Sequence, residues 1–287
     1  MRKVRKIYKR QNIKSFIFLI LALIVAAISF LPFYWAFSLS IRNPIEAFTV
    51  AGLAVPFIQY EPTLNNWKAE LETGETQKSL LNSIIIAVGT SILVIVLGTP
   101  AAYAIARFRF TKPSNTNITI WFLSQRVLPP VVTVIPFFLI MRFFNLLDTR
   151  LALIMINVTF NLPFVVVLMR QAFLDLPIEL EEAALVDGAG HFTIFWKISL
   201  RLAAPSLVAV LLIVLAFTWN EFLFALTIGT VHVRTIPVQM AGAVDTRGIQ
   251  FWFLAVRALI AVTPPVILAL LVQRYIVRGL TFGAVKG

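Results

Sequence analysis

LLNSIIIAVGTSILVIVLGTPAAYAIA, residues 80–106, contains no charged side chain and lies between Lys78 and Arg107. Spanning the hydrocarbon of a bilayer takes about 20 apolar residues, so this run reads as a transmembrane helix. Five more runs carry the same signal, at residues 15–39, 118–141, 151–171, 205–229 and 253–277. The expected fold class is all-α, an integral membrane protein with six transmembrane helices. The run at 15–39 is too long for a secretory leader. No small-residue cleavage site precedes Phe33, Tyr34 and Trp35, so it reads as a retained helix with its aromatics at an interface.

Composition agrees. Of 287 residues, 59% are hydrophobic and only 13% charged, against about a quarter charged in a soluble domain. The fifteen prolines and twelve glycines are scattered within apolar runs, which membrane helices tolerate. The absence of cysteine excludes disulfides, thiolate zinc sites and cysteine nucleophiles. A net charge of +12 would suggest nucleic acid on a soluble protein, but here the charges bracket the apolar runs.

Those charges predict orientation. With the N-terminus inside, sixteen Lys and Arg fall inside, seven of them before residue 15, and seven fall outside. That bias places both termini in the cytoplasm, and the N-terminal cluster suits anionic lipid. The expected organisation is a basic N-terminus at 1–14, a first transmembrane helix at 15–40, a five-helix core at 80–277 and a C-terminal tail at 278–287. The connection 41–79 lies outside and carries five glutamates; 173–204 lies inside.

The inside connection holds the functional signal. It reads DLPIELEEAALVDGAG over residues 175–190. Pro177 suits a first helical position, Glu179, Glu181 and Glu182 complement a helix dipole, and Gly188 and Gly190 stop the helix. A second amphipathic segment follows from Phe192 to Leu200, with Phe192, Phe195, Trp196 and Ser199 at helical spacing. Two short helices around a tight turn are expected, and by themselves they also fit a simple interfacial anchor.

Glu182, Ala183, Ala184 and Gly188, followed by Ile198 and Leu200, resemble the EAA loop of the permease subunits of binding-protein-dependent ABC importers. Arg201 stands where that family usually has proline. Asn82-Ser83, residues 101–110, residues 126–136, residues 145–149, residues 219–226 and the tail 273–287 resemble the maltose-type, carbohydrate branch. The resemblance implies a permease that moves a sugar or oligosaccharide delivered by an extracytoplasmic binding protein. It also implies a second, different permease subunit and two copies of an ATPase subunit. Glu182, Ala183, Ala184, Asp187 and Gly188 would couple to the ATPase, with Gly283, Lys286 and Gly287 of the tail also in contact with it. No cofactor, metal or catalytic site is expected, and no phosphate-binding Gly-x-x-x-x-Gly-Lys-Ser/Thr loop occurs.

Polar residues inside spans usually face a cavity or a partner, so they are pathway candidates. They are Gln125, Arg126, Asn157, Thr159, Asn161, Thr218, Asn220 and Glu221; of these Asn157, Asn161, Asn220 and Glu221, with the neighbouring Trp219, are preferred. Glu221 reads equally as a structural partner of an arginine such as Arg257, or as a helix cap. Pro129-Pro130 and Pro136 should kink the third span, and Pro264-Pro265 the sixth. His191 and His232 fall on opposite sides and cannot share a metal. Rival readings are a permease for a polyol or glycerol-phosphate-like solute, an ion-coupled secondary transporter, and a membrane enzyme. The second would want paired intramembrane carboxylates and repeated halves. The third lacks any His/carboxylate cluster.

Overall fold

The computed structural model describes residues 2–229, 231–242, 244–245 and 248–281. In chain order the helices are α1 (Arg2–Ser40), α2 (Glu46–Thr49), α3 (Asn65–Glu72), α4 (Glu75–Arg107), α5 (Asn115–Ser124), α6 (Pro130–Phe143), α7 (Arg150–Leu174) and α8 (Glu179–Val186). They continue with α9 (His191–Ile194), a π-helical turn (Phe195–Ser199), α10 (Leu200–Leu202), α11 (Ala204–Trp219), α12 (Leu223–Ile228) and α13 (Ile236–Ala241). A two-residue antiparallel ribbon, β1 (Val244–Asp245) with β2 (Gly248–Ile249), precedes α14 (Phe251–Thr281). The protein is an all-α membrane protein.

Among the described residues four helices are long and apolar enough to cross a bilayer: Ser15–Ser40 within α1, α4, α7, and Phe251–Leu271 within α14. The other two expected spans are interrupted. The third breaks between α5 and α6 rather than kinking. Neither Pro129 nor Pro130 has an N–H to donate back to residues 125 and 126, and Pro129 takes extended geometry. Pro130 then starts α6, the position where a missing N–H is harmless. The fifth divides into α11 and α12 at Asn220–Phe222, and α11 meets the preceding helical stretch His191–Leu202 at 76°. Pro264 and Pro265 lie within the single helix α14.

The chain divides into two compact units. One comprises Met1–Gly74 with Ala243–Ile260. Its small core is Ile41, Ala54 and Tyr60. Arg42 is fully buried there, with its guanidinium over the rings of Trp35 and Tyr60. Glu70 accepts Arg257 Nε at 2.6 Å, so Arg257 pairs within this unit and not with Glu221.

The second unit comprises Glu75–Gly242 with Ala261–Gly287 and is built on the contact of α4 with α7. Glycines allow the approach: a Cβ on Gly89 would meet Ile154 at 3.0 Å, and one on Gly98 would meet Val165 at 2.8 Å. Both contacts advance along the two helices together, so α4 and α7 run in the same direction. The intervening α5 and α6 therefore carry the chain back across the layer, in two pieces. Toward one end, Val94, Tyr103, Val165, Met169, Phe173, Phe195 and Val214 form an apolar core. Toward the other, Ile86, Met141, Leu153, Ile156, Phe224 and Ile228 form a second.

Candidate coupling helix and polar cavity

At one end of the second unit, α8 forms as the residues 175–190 require. Its helical geometry begins at Ile178, one residue after Pro177, which precedes the helix instead of occupying its first position. Gly188 adopts φ +83°, its N–H donates to Leu185 O at 3.0 Å, and Ala189 N–H donates to Ala184 O at 2.9 Å. This double closure with a left-handed residue is the Schellman stop, which glycine enters without steric cost. Gly190 precedes α9, and His191 is an exposed residue at that helix's start.

The faces of α8 differ sharply. Glu182, Ala183, Asp187 and Gly188 are exposed and Ala184 is half-buried. Around them Val186 is 88% and Phe192 77% exposed, with Leu180, Leu185 and Trp196 also open. Glu181 faces the opposite way and is only 7% exposed. It accepts Arg107 Nε at 2.9 Å, Tyr103 OH at 2.8 Å and Ser199 Oγ at 2.9 Å. Sequence reasoning passed over Glu181 because three glutamates share one turn. The available signal was the helical repeat, which puts 181 on the face opposite Ala183.

A cavity of about 500 Å³ lies in the same unit, where α5 gives way to α6 and α11 to α12. Asn157, Asn161 and Glu221 line it with Arg126 and an aromatic group that includes Phe160 and Phe217. Arg126 donates to Phe160 O at 3.2 Å and sits over the rings of Phe164 and Phe217. Glu221 serves as a cap: its carboxylate accepts the N–H of Phe224 at 2.7 Å and of Ala225 at 3.0 Å. Asn220 and Trp219 are not part of this lining. Asn220 is exposed and donates to Ala216 O at 2.8 Å, within its own helix. Trp219 lines a separate apolar groove between α11 and α14.

At the far end from α8, the segment 231–236, which leads into α13, is pinned near the starts of α4 and α7. Asp148, at φ +56°, accepts the N–H groups of Val231, His232 and Val233 at 2.8–3.2 Å. Asn82 accepts Arg150 Nε and donates to Arg234 O; Ser83 Oγ accepts Ile236 N–H. Burial pushes the Asp148 carboxyl up, but the N–H groups of His232, Val233 and Val231 outweigh it and hold it below the ordinary carboxylate value. Gly283, Lys286 and Gly287 lie outside the described residues. No group of His, Asp and Glu among the described residues could hold a metal.

These features define a polytopic α-helical membrane protein that presents a short, half-apolar helix pair at one end and an open cavity whose largely apolar lining carries a few polar side chains. The chain belongs to the binding-protein-dependent transport system inner membrane component family, whose model matches residues 94–282. It is therefore a permease subunit of an ABC transporter. It is 34% identical to the trehalose/maltose transport system permease protein MalG of Thermococcus litoralis, over 97% of this chain and 99% of that one. It is 35% identical to the trehalose transport system permease protein SugB of Mycobacterium tuberculosis, over 93% and 96%. Its fold is similar to that of a chain in a bacterial ABC transporter involved in the import of the acidic polysaccharide alginate. There the TM-score is 0.75 at 22% identity, covering 92% of this chain and 97% of that one.

Proposed function

We propose that this chain translocates a sugar or oligosaccharide inward, as one permease subunit of an ATP-driven importer. An extracytoplasmic binding protein delivers the solute. A second, different permease subunit completes the path, and two copies of an ATPase subunit supply energy, leaving this chain without catalytic chemistry of its own. Both termini and α8 lie in the cytoplasm of a bacterial or archaeal cell, in agreement with the Lys and Arg bias. The sugar assignment is supported by relatives at 34% and 35% identity that are named for trehalose or maltose transport.

The observation that carries the coupling mechanism is α8 itself. It is a short helix closed by a Schellman stop, with Ala183, Leu185 and Val186 outward and Glu181 holding it inward. Such a surface fits a groove by apolar anchors at helical spacing. Glu182, Ala183, Ala184, Asp187 and Gly188 would contact the ATPase, joined by Gly283, Lys286 and Gly287 of the tail. Closure of the ATPase dimer on ATP would carry α8 with it and open the path outward. Asn157, Asn161 and Glu221, beside Arg126, form this chain's share of that path. Neutral amides and aromatic faces read hydroxyl groups without the desolvation cost of a charge.

The test is reconstitution of the whole transporter in vesicles with its binding protein. Uptake of trehalose or maltose that needs ATP and the binding protein is the expected result. Uptake that follows a proton or sodium gradient with no ATPase present would overturn the reading.

A further inference from the structure

We propose that Glu181 is a positioning residue for energy coupling, a bolt that makes α8, the end of α4 and the turn before α10 move as one body. This rests on the docking role given to α8 above. The connection between α7 and α8 is only four residues, Asp175 to Ile178, and it is the natural place for a hinge. Across that hinge a single buried carboxylate gathers donors from two other elements. Arg107 and Tyr103 come from the last turns of α4, and Ser199 from the π-helical turn. Arg107 also donates to Leu176 O at 3.3 Å, so the hinge itself is held to α4. The π turn has a structural use here. Its wider spacing changes the register of the residues after it, and Ser199, fully buried, meets Glu181. The Tyr103 ring lies against Phe173 and Phe195, which excludes water from the carboxylate.

Packing alone does not call for a carboxylate. An apolar side chain would fill the site without the cost of desolvating a charge. What Glu181 adds is direction: three donors at 2.8–2.9 Å fix where α8 lies against α4, whereas apolar contacts would let it slide. The outward face of α8 can then be pushed without the helix folding at its hinge.

This chain has no native cysteine to compete for label, and its partners would be used in cysteine-free form. Glu179→Cys and Leu97→Cys, both at exposed positions, would carry spin labels in the complete transporter with its ATPase, partner permease and binding protein. In otherwise unaltered protein the distance between the labels is expected to keep one narrow distribution in the nucleotide-free and ATP-trapped states. In Glu181→Ala it is expected to broaden and to shift between the two states, a readout that lowered stability alone does not move. A narrow, state-independent distance in Glu181→Ala overturns the proposal. Should that variant fail to assemble, Tyr103→Phe and Ser199→Ala decide, since both leave the Arg107 pair intact. Partial broadening supports the bolt, and unchanged distances overturn it. Co-purification of the ATPase with the unsubstituted chain tests docking by itself, so a failure there is told apart from a failure of the bolt.

Discussion

Gly98 of α4 lies so close to Val165 of α7 that an added Cβ would come within 2.8 Å of Val165 Cγ1. Val165 is fully buried, and Leu162 crowds the same point at 3.3 Å. Val165, fully buried and β-branched, has little room to retreat. Gly98→Leu should therefore cost about 1–3 kcal/mol of bundle stability, the usual penalty for overpacking. A lowered melting temperature of the detergent-purified complex checks it. Gly190→Leu, where nothing lies within 4 Å of an added Cβ, serves as the control.

Gly188 tests the stop of α8. Its φ of +83° disfavours any side chain, so Gly188→Ala should cost about 1–2 kcal/mol locally. Gly188→Pro goes further, because proline cannot adopt this φ and lacks the N–H that reaches Leu185 O. Together with the surface change Glu182→Lys, it should abolish uptake while the protein still reaches the membrane. Membrane fractionation beside uptake in cells measures both, and normal uptake with both changes would count against docking by α8.

Asp148 should make the far end of the bundle sensitive to acid. Its folded pKa lies below the ordinary carboxylate value. The stabilisation is therefore complete above that ordinary value and is lost as pH falls through the lowered, folded one. Asp148→Asn removes the charge from three N–H donors, and each charge-assisted bond is worth more than a neutral one. The variant should melt lower than the parent at neutral pH, with the gap closing as the buffer is acidified. A gap that stays constant down to strong acid would remove Asp148 as the titrating group.

The cavity separates Asn161 from Asn220. Asn161 is buried and lines the cavity, whereas Asn220 is exposed and lies off it; each amide donates to the carbonyl four residues earlier, Asn157 O and Ala216 O. Asn161→Ala should weaken the apparent affinity for sugar by about fivefold, the worth of one neutral hydrogen bond. Asn220→Ala should change it little, and both should keep ATP hydrolysis responsive to the binding protein. Transport kinetics in vesicles make the comparison. A larger effect at Asn220 would move the path out of this cavity.

Glu221 offers a contrast of a different kind. Both its oxygens cap α12, so Glu221→Gln retains one acceptor and Glu221→Ala none. Removal of an N-terminal cap costs about 1 kcal/mol, and more when a charge is involved. The alanine variant should lose stability well beyond the glutamine variant by thermal unfolding. Equal losses would remove the cap as what Glu221 contributes to stability.

Local chemistry placed α8 and its stop where they stand, but Pro177 precedes that helix and the third and fifth apolar runs are interrupted. The apolar runs, the helix over α8 and its arrest at Gly188 follow from hydropathy, from carboxylates in a first turn and from a φ that only glycine enters freely. Such properties belong to a short stretch of chain and survive any tertiary arrangement. The third span marks the boundary: Pro129 and Pro130 signal an interruption, but whether the helix bends or ends depends on what receives the freed carbonyls. The role of Glu181, as against Glu182, lay beyond local reading. Its donors sit at Tyr103 and Arg107, more than seventy residues earlier, and at Ser199 after a π turn. So did the partner of Arg257, which is Glu70, 187 positions away. Pairings of that kind are set by helix rotation and by how closely neighbouring helices approach. Those quantities exist only once the bundle has packed.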